Sequence, residues 1–449
     1  MKYKVDSRKV KKGDIFVALK EANGDGHKFI DDAIKNGASK IICEHGLYSV
    51  DTLVVKDTHE YLVNILKDEY GSILSNLKII GVTGTNGKTT TCFCLHNMLN
   101  ELGYKCGYIG TIGFYIKDKI NNLNNTTPDI LEIYEMLLKC YEEKCIYVVM
   151  EVSSHALVKK RVDKINFDYG IFTNLTVDHL DYHKTMENYA LAKQKLFKNV
   201  TKKSIINVDS DYKDYFLINE NSITYGFNKS DYNISNIILN SNESIFDLTY
   251  NDETTTFKTN LLGKYNIYNL VCCIILLKEI GIKNDIIKQL VLNVTPPKGR
   301  MEIINYNDSK IIVDYAHTPD AVENILKSVK EFNKGKIYTI IGCGGNRDKT
   351  KRSKMANIAC SLSDYSIFTT DNPRNEKPEN IIKDMIQKLD TNNYEIIINR
   401  ESAIEKGIQK LQKNDILLVL GKGHEDYQII NDKKIHFDDK EVIEKYIRR

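Results

Sequence analysis

Gly84, Thr85, Asn86, Gly87, Lys88, Thr89 and Thr90 form a glycine-rich run between an apolar segment, LKIIGVT, and an amphipathic one, CFCLHNMLNELG. Strand, glycine turn and helix in that order offer successive backbone N–H groups and a helix N-terminus to an anion. Lys88 would reach the β- and γ-phosphates of a nucleotide, and Thr89 would offer its hydroxyl to Mg2+. Val82 stands where the general pattern G-x-x-x-x-G-K-[ST] has its first glycine. The plainer reading, an ordinary strand-to-helix turn, is disfavoured by the strand before and the helix after.

Glu151 ends the apolar run IYVVME, and His179 follows FDYGIFTNL in NLTVDHLDYH. Both fall at strand carboxyl ends, where α/β sheets place ligand sites. One hard oxygen and one imidazole beside a phosphate loop suit Mg2+ or Mn2+ bridging nucleotide and substrate. A solvated carboxylate and a packing histidine are the alternatives, and Asp178, Asp181 and His183 are also eligible by position. Lys193, in ENYALAKQKLF, reads by itself as a surface lysine on a helix.

These groups need a scaffold, and 449 residues with 42% hydrophobic content suffice for roughly two to four domains with real cores. Apolar runs alternate with helical-period segments: KIICE, LKIIGVTG, IYVVMEVSSH, FDYGIFTNL and KKSIINVD, then SKIIVDYAH, KIYTIIGCGG, YSIFTTDNP, YEIIINR and DILLVLGKG. This is an α/β pattern with largely parallel, buried strands. Between about residues 220 and 262 the rhythm becomes short and alternating, which predicts an antiparallel meander flanking the central sheet. Pro296, Pro297, Lys298 and Gly299 make an interdomain joint, because proline removes donors and glycine permits a turn. Boundaries near 77 and 297 give units of residues 1–77, 78–297 and 298–449.

Lys and Arg number 63 against 60 Asp and Glu, so the net charge of +3 draws the chain neither to nucleic acid nor to a membrane surface. The first residues, MKYKVDSRKV, lack an apolar signal core, and no run of about 18 apolar residues occurs. The ten cysteines lack the spacing of a zinc site and read as reduced thiols, mostly packing residues, in a cytoplasmic protein.

The loop GTNGKTT resembles the variant phosphate loop of the Mur ligases, and the resemblance continues in order through DSRKV, TTPD, EVSSHAL, TNLTVDHLDYH, YALAK, GKYNIYN, GRME, DYAHTPD, DNPR and GKGHE. It implies a three-domain α/β protein with a small UDP-MurNAc-binding domain, a central phosphate-loop ATPase domain and a Rossmann-like carboxy-terminal domain. The implied reaction is ATP-dependent addition of meso-diaminopimelate to UDP-MurNAc-L-Ala-D-Glu through an acyl phosphate, by a protein expected to be monomeric. It also reverses the reading of Lys193, which matches a carbamylated lysine: CO2 captured by the amine would make an anionic ligand for a second Mg2+ beside Thr89, Glu151 and His179. Asn266, Asn269, Arg300 and Asp314 match ATP-binding positions. Ser7, Thr126, Thr127, Ser153 and Arg161 match the muramoyl-dipeptide side, with Lys159 where the family commonly has glutamine. The chain begins so close to DSR that the family's leading strand is missing or shortened.

For the amino acid, the resemblance points to Asp371, Asn372 and Arg374 of DNPR, with Arg347, Gly421 and Glu425. Diaminopimelate carries a distal carboxylate and amine where lysine has only an ammonium. Arg374 can hold that carboxylate bidentately, whereas a lysine ammonium there meets like charge; Glu425 would accept from the distal amine. The alternatives are a ligase of the same fold using L-lysine or another amine, which DNPR disfavours, and a non-catalytic nucleotide-binding regulatory protein. Intact Lys88, Glu151, His179 and Lys193 argue against the latter.

Overall fold

Apolar β-branched runs become strands, and the strands sort into three main sheets that follow one another along the chain. The computed structural model describes residues 1–21 and 24–448. The first sheet pairs Tyr3–Lys4, Ile15–Val17, Lys40–Cys43 and Asp51–Val54, all parallel. Its leading strand is short but present, anchored by buried Tyr3, whose hydroxyl donates to Glu69 Oε1 at 2.5 Å.

The second sheet has eleven strands. Lys78–Thr83 lies between Tyr147–Glu151 and Phe167–Phe172, parallel to both. Val82 is in register with Glu151 and Ile171, and Thr83 with Phe172. Three strands therefore end side by side, and the chain leaving each one enters the same crevice. Val82 is wholly buried inside its strand, so the turn begins only at Gly84.

The segment expected to flank this sheet instead extends it. Ser222–Gly226 joins Val200–Asn207 in parallel, and Tyr232–Leu239, Ser244–Tyr250 and Glu253–Thr259 continue the sheet, antiparallel to one another. An uncovered edge of parallel strands would leave N–H and C=O groups unpaired, and these strands satisfy it. Their alternating apolar residues, Tyr232, Ile234, Phe246, Leu248 and Phe257, join one core with the phosphate-loop helix Lys88–Glu101 and the almost wholly buried helix Lys264–Glu279. Each such side chain contributes about 1.5–3 kcal/mol on burial.

The third sheet runs Glu302–Tyr306, Ser309–Asp314, Ile416–Leu420, Ile337–Ile341, Tyr365–Phe368 and Tyr394–Ile396, parallel except for the first pair. All ten cysteines are buried and free. Among the described residues no helix is long and apolar enough to cross a membrane.

Candidate functional site

The phosphate loop is laced to the chain leaving the neighbouring strand. The Asn86 carbonyl accepts from Thr173 Oγ1 at 2.6 Å and Asn174 Nδ2 at 3.1 Å, and the Asn86 N–H donates to Asn174 Oδ1 at 2.9 Å. Thr85 Oγ1 accepts from the Thr176 N–H at 3.0 Å. Gly87, at φ +86°, opens the helix with Asn269 pressed against it; an added Cβ would lie 2.3 Å from Asn269 Oδ1. Asn269 is held by Asn266 Oδ1 at 3.2 Å, and Asn266 by the Leu262 carbonyl at 2.8 Å, so both predicted asparagines buttress the loop from Lys264–Glu279.

Two lysines converge on Gly84. Lys88 Nζ donates to the carbonyls of Gly84 at 2.9 Å and Thr85 at 2.8 Å, and Lys193 Nζ donates to the Gly84 carbonyl at 2.7 Å. Lys193 is buried rather than on the surface, lying over the Tyr189 ring. Burial, and secondarily the Lys88 charge, push its pKa well below the ordinary lysine value; burial lowers that of Lys88 as well.

Glu151 is wholly buried. Its carboxylate accepts from Tyr108 Oη at 2.6 Å, the Thr111 N–H at 2.9 Å, and the hydroxyls of Thr111 and Thr89, each at 3.0 Å. Thr90, behind it on the same helix, is buried. His179 heads a short helix in the left-handed region, φ +54°, beside Asp178 Oδ2 at 3.4 Å, with its ring edge-on to His155. His183, eligible from sequence, is engaged with Ser154 Oγ at 2.9 Å and stacked on Tyr189.

TTPD lies against this cluster. Thr126 Oγ1 meets Thr111 Oγ1 at 3.0 Å, while Thr127 Oγ1 donates to the Glu151 carbonyl at 2.8 Å and accepts from the Ser153 N–H at 3.0 Å. Arg161 binds the Thr127 carbonyl at 3.0 Å and pairs with Asp129 at 2.8 Å. Lys159 closes the short helix Ser154–Val158. Ser7 is buried in a turn whose Lys9 reaches Glu132, on the helix after TTPD, at 3.1 Å.

The third unit reaches back across the joint. Arg300 Nη2 lies 3.4 Å from Thr89 Oγ1, its guanidinium stacks 4.6 Å from the Tyr315 ring centroid, and its buried Nε has no partner among the described residues. Asp314 accepts from the N–H groups of Met301 at 2.7 Å and Ala316 at 2.8 Å, which fixes the backbone around Arg300; burial raises its pKa. A cavity of about 240 Å³ opens between the two units, lined by Leu262, Asn266, Pro296, Met301 and Ile303 among others.

DNPR follows Tyr365–Phe368 and meets GKGHE, which follows Ile416–Leu420. Asn372 Nδ2 donates to Glu425 Oε2 at 2.7 Å, and Asn372 Oδ1 accepts from the Ile429 N–H at 2.9 Å. Arg374 Nη1 rests on the Gly345 carbonyl at 3.0 Å, on the loop that carries exposed Arg347. Gly421 turns beside buried Asp371, whose Oδ1 has no hydrogen-bond partner among the described residues. Burial, and then the Asp371 charge, raise the pKa of Glu425. Lys422, not singled out from sequence, is wholly buried between these acids, 3.3 Å from Glu425 and 4.0 Å from Asp371. Its place inside GKGHE was the available signal. Tyr108, Thr111, Thr173, Asn174 and Thr176 were also missed, since hydroxyl and amide residues carry no periodic or charge signature.

Among the described residues no three His, Cys, Asp or Glu side chains gather to hold a metal ion. The donors present still suit Mg2+, a hard cation that keeps waters and phosphate oxygens as ligands. Thr89 gives its proton to Glu151 and accepts a long contact from Arg300, which leaves one oxygen lone pair for a cation.

Three successive family descriptions fit this arrangement: Mur ligase family, catalytic domain, at residues 3–70; Mur ligase middle domain at 82–277; and Mur ligase, glutamate ligase domain, at 299–423. The chain belongs to the Mur ligase family. A UDP-N-acetylmuramoyl-L-alanyl-D-glutamate--2,6-diaminopimelate ligase of Clostridium botulinum is 44% identical, over 100% of this chain and 95% of that protein. One of the same name from Fusobacterium nucleatum is 43% identical, over 99% of this chain and 93% of that one. A solved structure of a ligase of that name superposes with a TM-score of 0.72 at 32% identity, covering 99% of this chain and 94% of the other. MurF ligase from Thermotoga maritima, in complex with ADP, shares the fold, with a TM-score of 0.68 at 18% identity over 100% and 97% of the two chains.

Proposed function

We propose that this chain adds meso-diaminopimelate to the D-glutamyl carboxylate of UDP-MurNAc-L-Ala-D-Glu, with ATP converted to ADP and phosphate. The observation that carries the reading is the reach of Arg300, from the unit holding DNPR, to Thr89 of the phosphate loop. It supports a reading in which the unit that would hold the amino acid meets the loop that would hold phosphate. Residues 1–77 would hold the uridine diphosphate end through Ser7, residues 78–297 the ATP, and residues 298–449 the incoming amino acid.

Lys88, Gly84, Thr85, Asn86, Gly87, Thr89 and Thr90 would cradle the phosphates, and the base would enter the cavity beside Asn266. Mg2+ would neutralise phosphate charge as it builds during transfer. Thr89 and Glu151 suit one such ion; His179 and a carbamate on Lys193 would serve the second. Low basicity favours the carbamate, because only a neutral amine attacks CO2. The new N–C bond costs one proton and leaves an anion near Lys88.

Thr126, Thr127, Ser153, Lys159 and Arg161 line the route by which the D-glutamyl carboxylate would approach the γ-phosphate. Attack by the carboxylate oxygen on the γ-phosphorus breaks the bond to the bridging oxygen, releases ADP and yields the acyl phosphate, exchanging a poor leaving oxygen for a good one. The diaminopimelate amine then attacks the acyl carbon, loses a proton and expels phosphate. Arg300 would balance charge on the transferring phosphoryl group. Arg374 and Arg347 would take the distal carboxylate, and Asp371, Asn372, Gly421 and Glu425 the distal amine; charge-assisted bonds of about 1.5–3 kcal/mol give roughly 10- to 100-fold selection per contact.

The test is to incubate the protein with ATP, Mg2+ and UDP-MurNAc-L-Ala-D-Glu, offer meso-diaminopimelate or L-lysine, and read phosphate release and product mass. A tripeptide formed with diaminopimelate and hardly at all with lysine is expected. Equal turnover with lysine would overturn the Arg374 argument, and no product with any amine would overturn the ligase reading.

A further inference from the structure

The helix Pro319–Phe332 of the third unit begins with Thr318 as its N-cap, proline at its first position and Asp320 next. An acidic residue there ordinarily does no more than favour the helix dipole. Asp320 does something further. Its Oδ2 accepts from Asn86 Nδ2 at 2.8 Å and from Thr176 Oγ1 at 2.9 Å, at sequence separations of 234 and 144 residues. Asn86 is the tip of the phosphate loop, and Thr176 lies on the segment running from the neighbouring strand to His179. Thr85 and Thr176 already bind one another. A single carboxylate oxygen on the third unit thus holds both walls of the phosphate site.

We propose that Asp320 is a positioning residue, a latch that docks the third unit on the phosphate loop so that the acyl phosphate formed there is sheltered from water until the amine attacks. The inference rests on the ligase function proposed above. The geometry favours a latch over a charge acting on substrate, because the oxygen is satisfied by protein donors on both walls. An open site would pass the acyl phosphate to water, so the loss of Asp320 should appear as phosphate released without amide formed. Both bonds use Oδ2, so an asparagine oriented with its carbonyl at that place keeps them, and an alanine cannot.

The experiment compares wild type, Asp320→Ala, Asp320→Asn and Thr176→Val, measuring phosphate release and amide product in the same reaction with ATP, Mg2+, UDP-MurNAc-L-Ala-D-Glu and meso-diaminopimelate. Asp320→Ala should lower kcat for amide by about tenfold or more and raise the phosphate-to-amide ratio severalfold, with little change in KM for ATP. Asp320→Asn should restore most of the coupling, and Thr176→Val should give an intermediate ratio. Unchanged coupling in Asp320→Ala overturns the latch. So does an asparagine variant as impaired as the alanine one, or equal loss of phosphate release and amide in the alanine variant. If Asp320→Ala does not fold, Thr176→Val decides: a wild-type ratio overturns the proposal. Failure of wild type itself to form amide would instead strike the ligase reading.

Discussion

Lys193 shows how far a residue's meaning depends on its surroundings. In sequence it is one lysine on a polar helical segment; in the fold it is buried, bound to the Gly84 carbonyl beside Lys88. A buried ammonium with no carboxylate bonded to it is costly, which is the physical reason its proton is weakly held. Lys193→Ala should lower amide formation by at least about 100-fold, as for loss of a group that stabilises charge in the transition state. Acetate or formate should restore part of the rate, and a fully active alanine variant would remove the carbamate from the mechanism. Charged residues inside short motifs were what the sequence made legible, and the fold joins several of them to their motifs' neighbours: Glu151 and Arg300 both reach Thr89, and Glu425 meets Asn372. Tyr108, Thr111, Thr173 and Asn174 were not legible, because each acts by a hydrogen bond to a partner distant in sequence.

Among elements, the joint at 296–299 does more than connect. Gly299 has φ +67°, and a Cβ added there would lie 2.1 Å from the backbone of Gly423 and His424, so the joint is packed on the loop that carries Glu425. Lys298 also pairs with Asp438 at 2.5 Å, and Lys440 with Glu302 at 2.6 Å. Gly299→Ala should therefore move Arg300 and Glu425 together, cutting kcat/KM for diaminopimelate by about 10- to 100-fold. Gly281→Ala separates strain from contact, since its φ is +89° with nothing within 4 Å of the added Cβ. A Gly281→Ala variant that keeps full activity would show that a strained glycine elsewhere in the fold is tolerated; an unchanged kcat/KM in Gly299→Ala would overturn the packing argument. Pro296, Pro297 and Gly299 single out this segment in the sequence. The extension of the second sheet was not visible: Ser222–Gly226 pairs with the strand just before it, Val200–Asn207, but that this strand offers an open edge depends on its other side being taken by Phe167–Phe172.

At the scale of the molecule, burial of histidines makes the fold acid-sensitive. Burial lowers the pKa of His96, His155, His183 and His317 to about 4 from 6.5. Above pH 6.5 these rings are neutral in both the folded and the unfolded chain and contribute nothing to the pH dependence. Below it the unfolded chain takes up protons that the folded chain refuses until about pH 4, so stability falls with pH across that window. The slope is at most about 1.4 kcal/mol per pH unit for each histidine. His96 lies in the phosphate-loop helix among Phe93, Tyr108 and Tyr115, and His96→Gln should flatten part of the fall. Urea midpoints between pH 7 and 4.5 measure it; an identical pH profile in the variant would show that His96 contributes nothing.

The sequence by itself determined the α/β class, the strand, glycine turn and helix around Lys88, and the order of the motifs, because each is written in local periodicity or in residues whose chemistry is specific at short spacing. Tertiary structure alone decided that Lys193 is buried beside Lys88 and that Lys422 lies between Asp371 and Glu425. It also decided that Asp320 reaches Asn86 across 234 residues. Burial and long-range hydrogen bonding are properties of packed surfaces, and no local pattern of residues encodes which surfaces will meet.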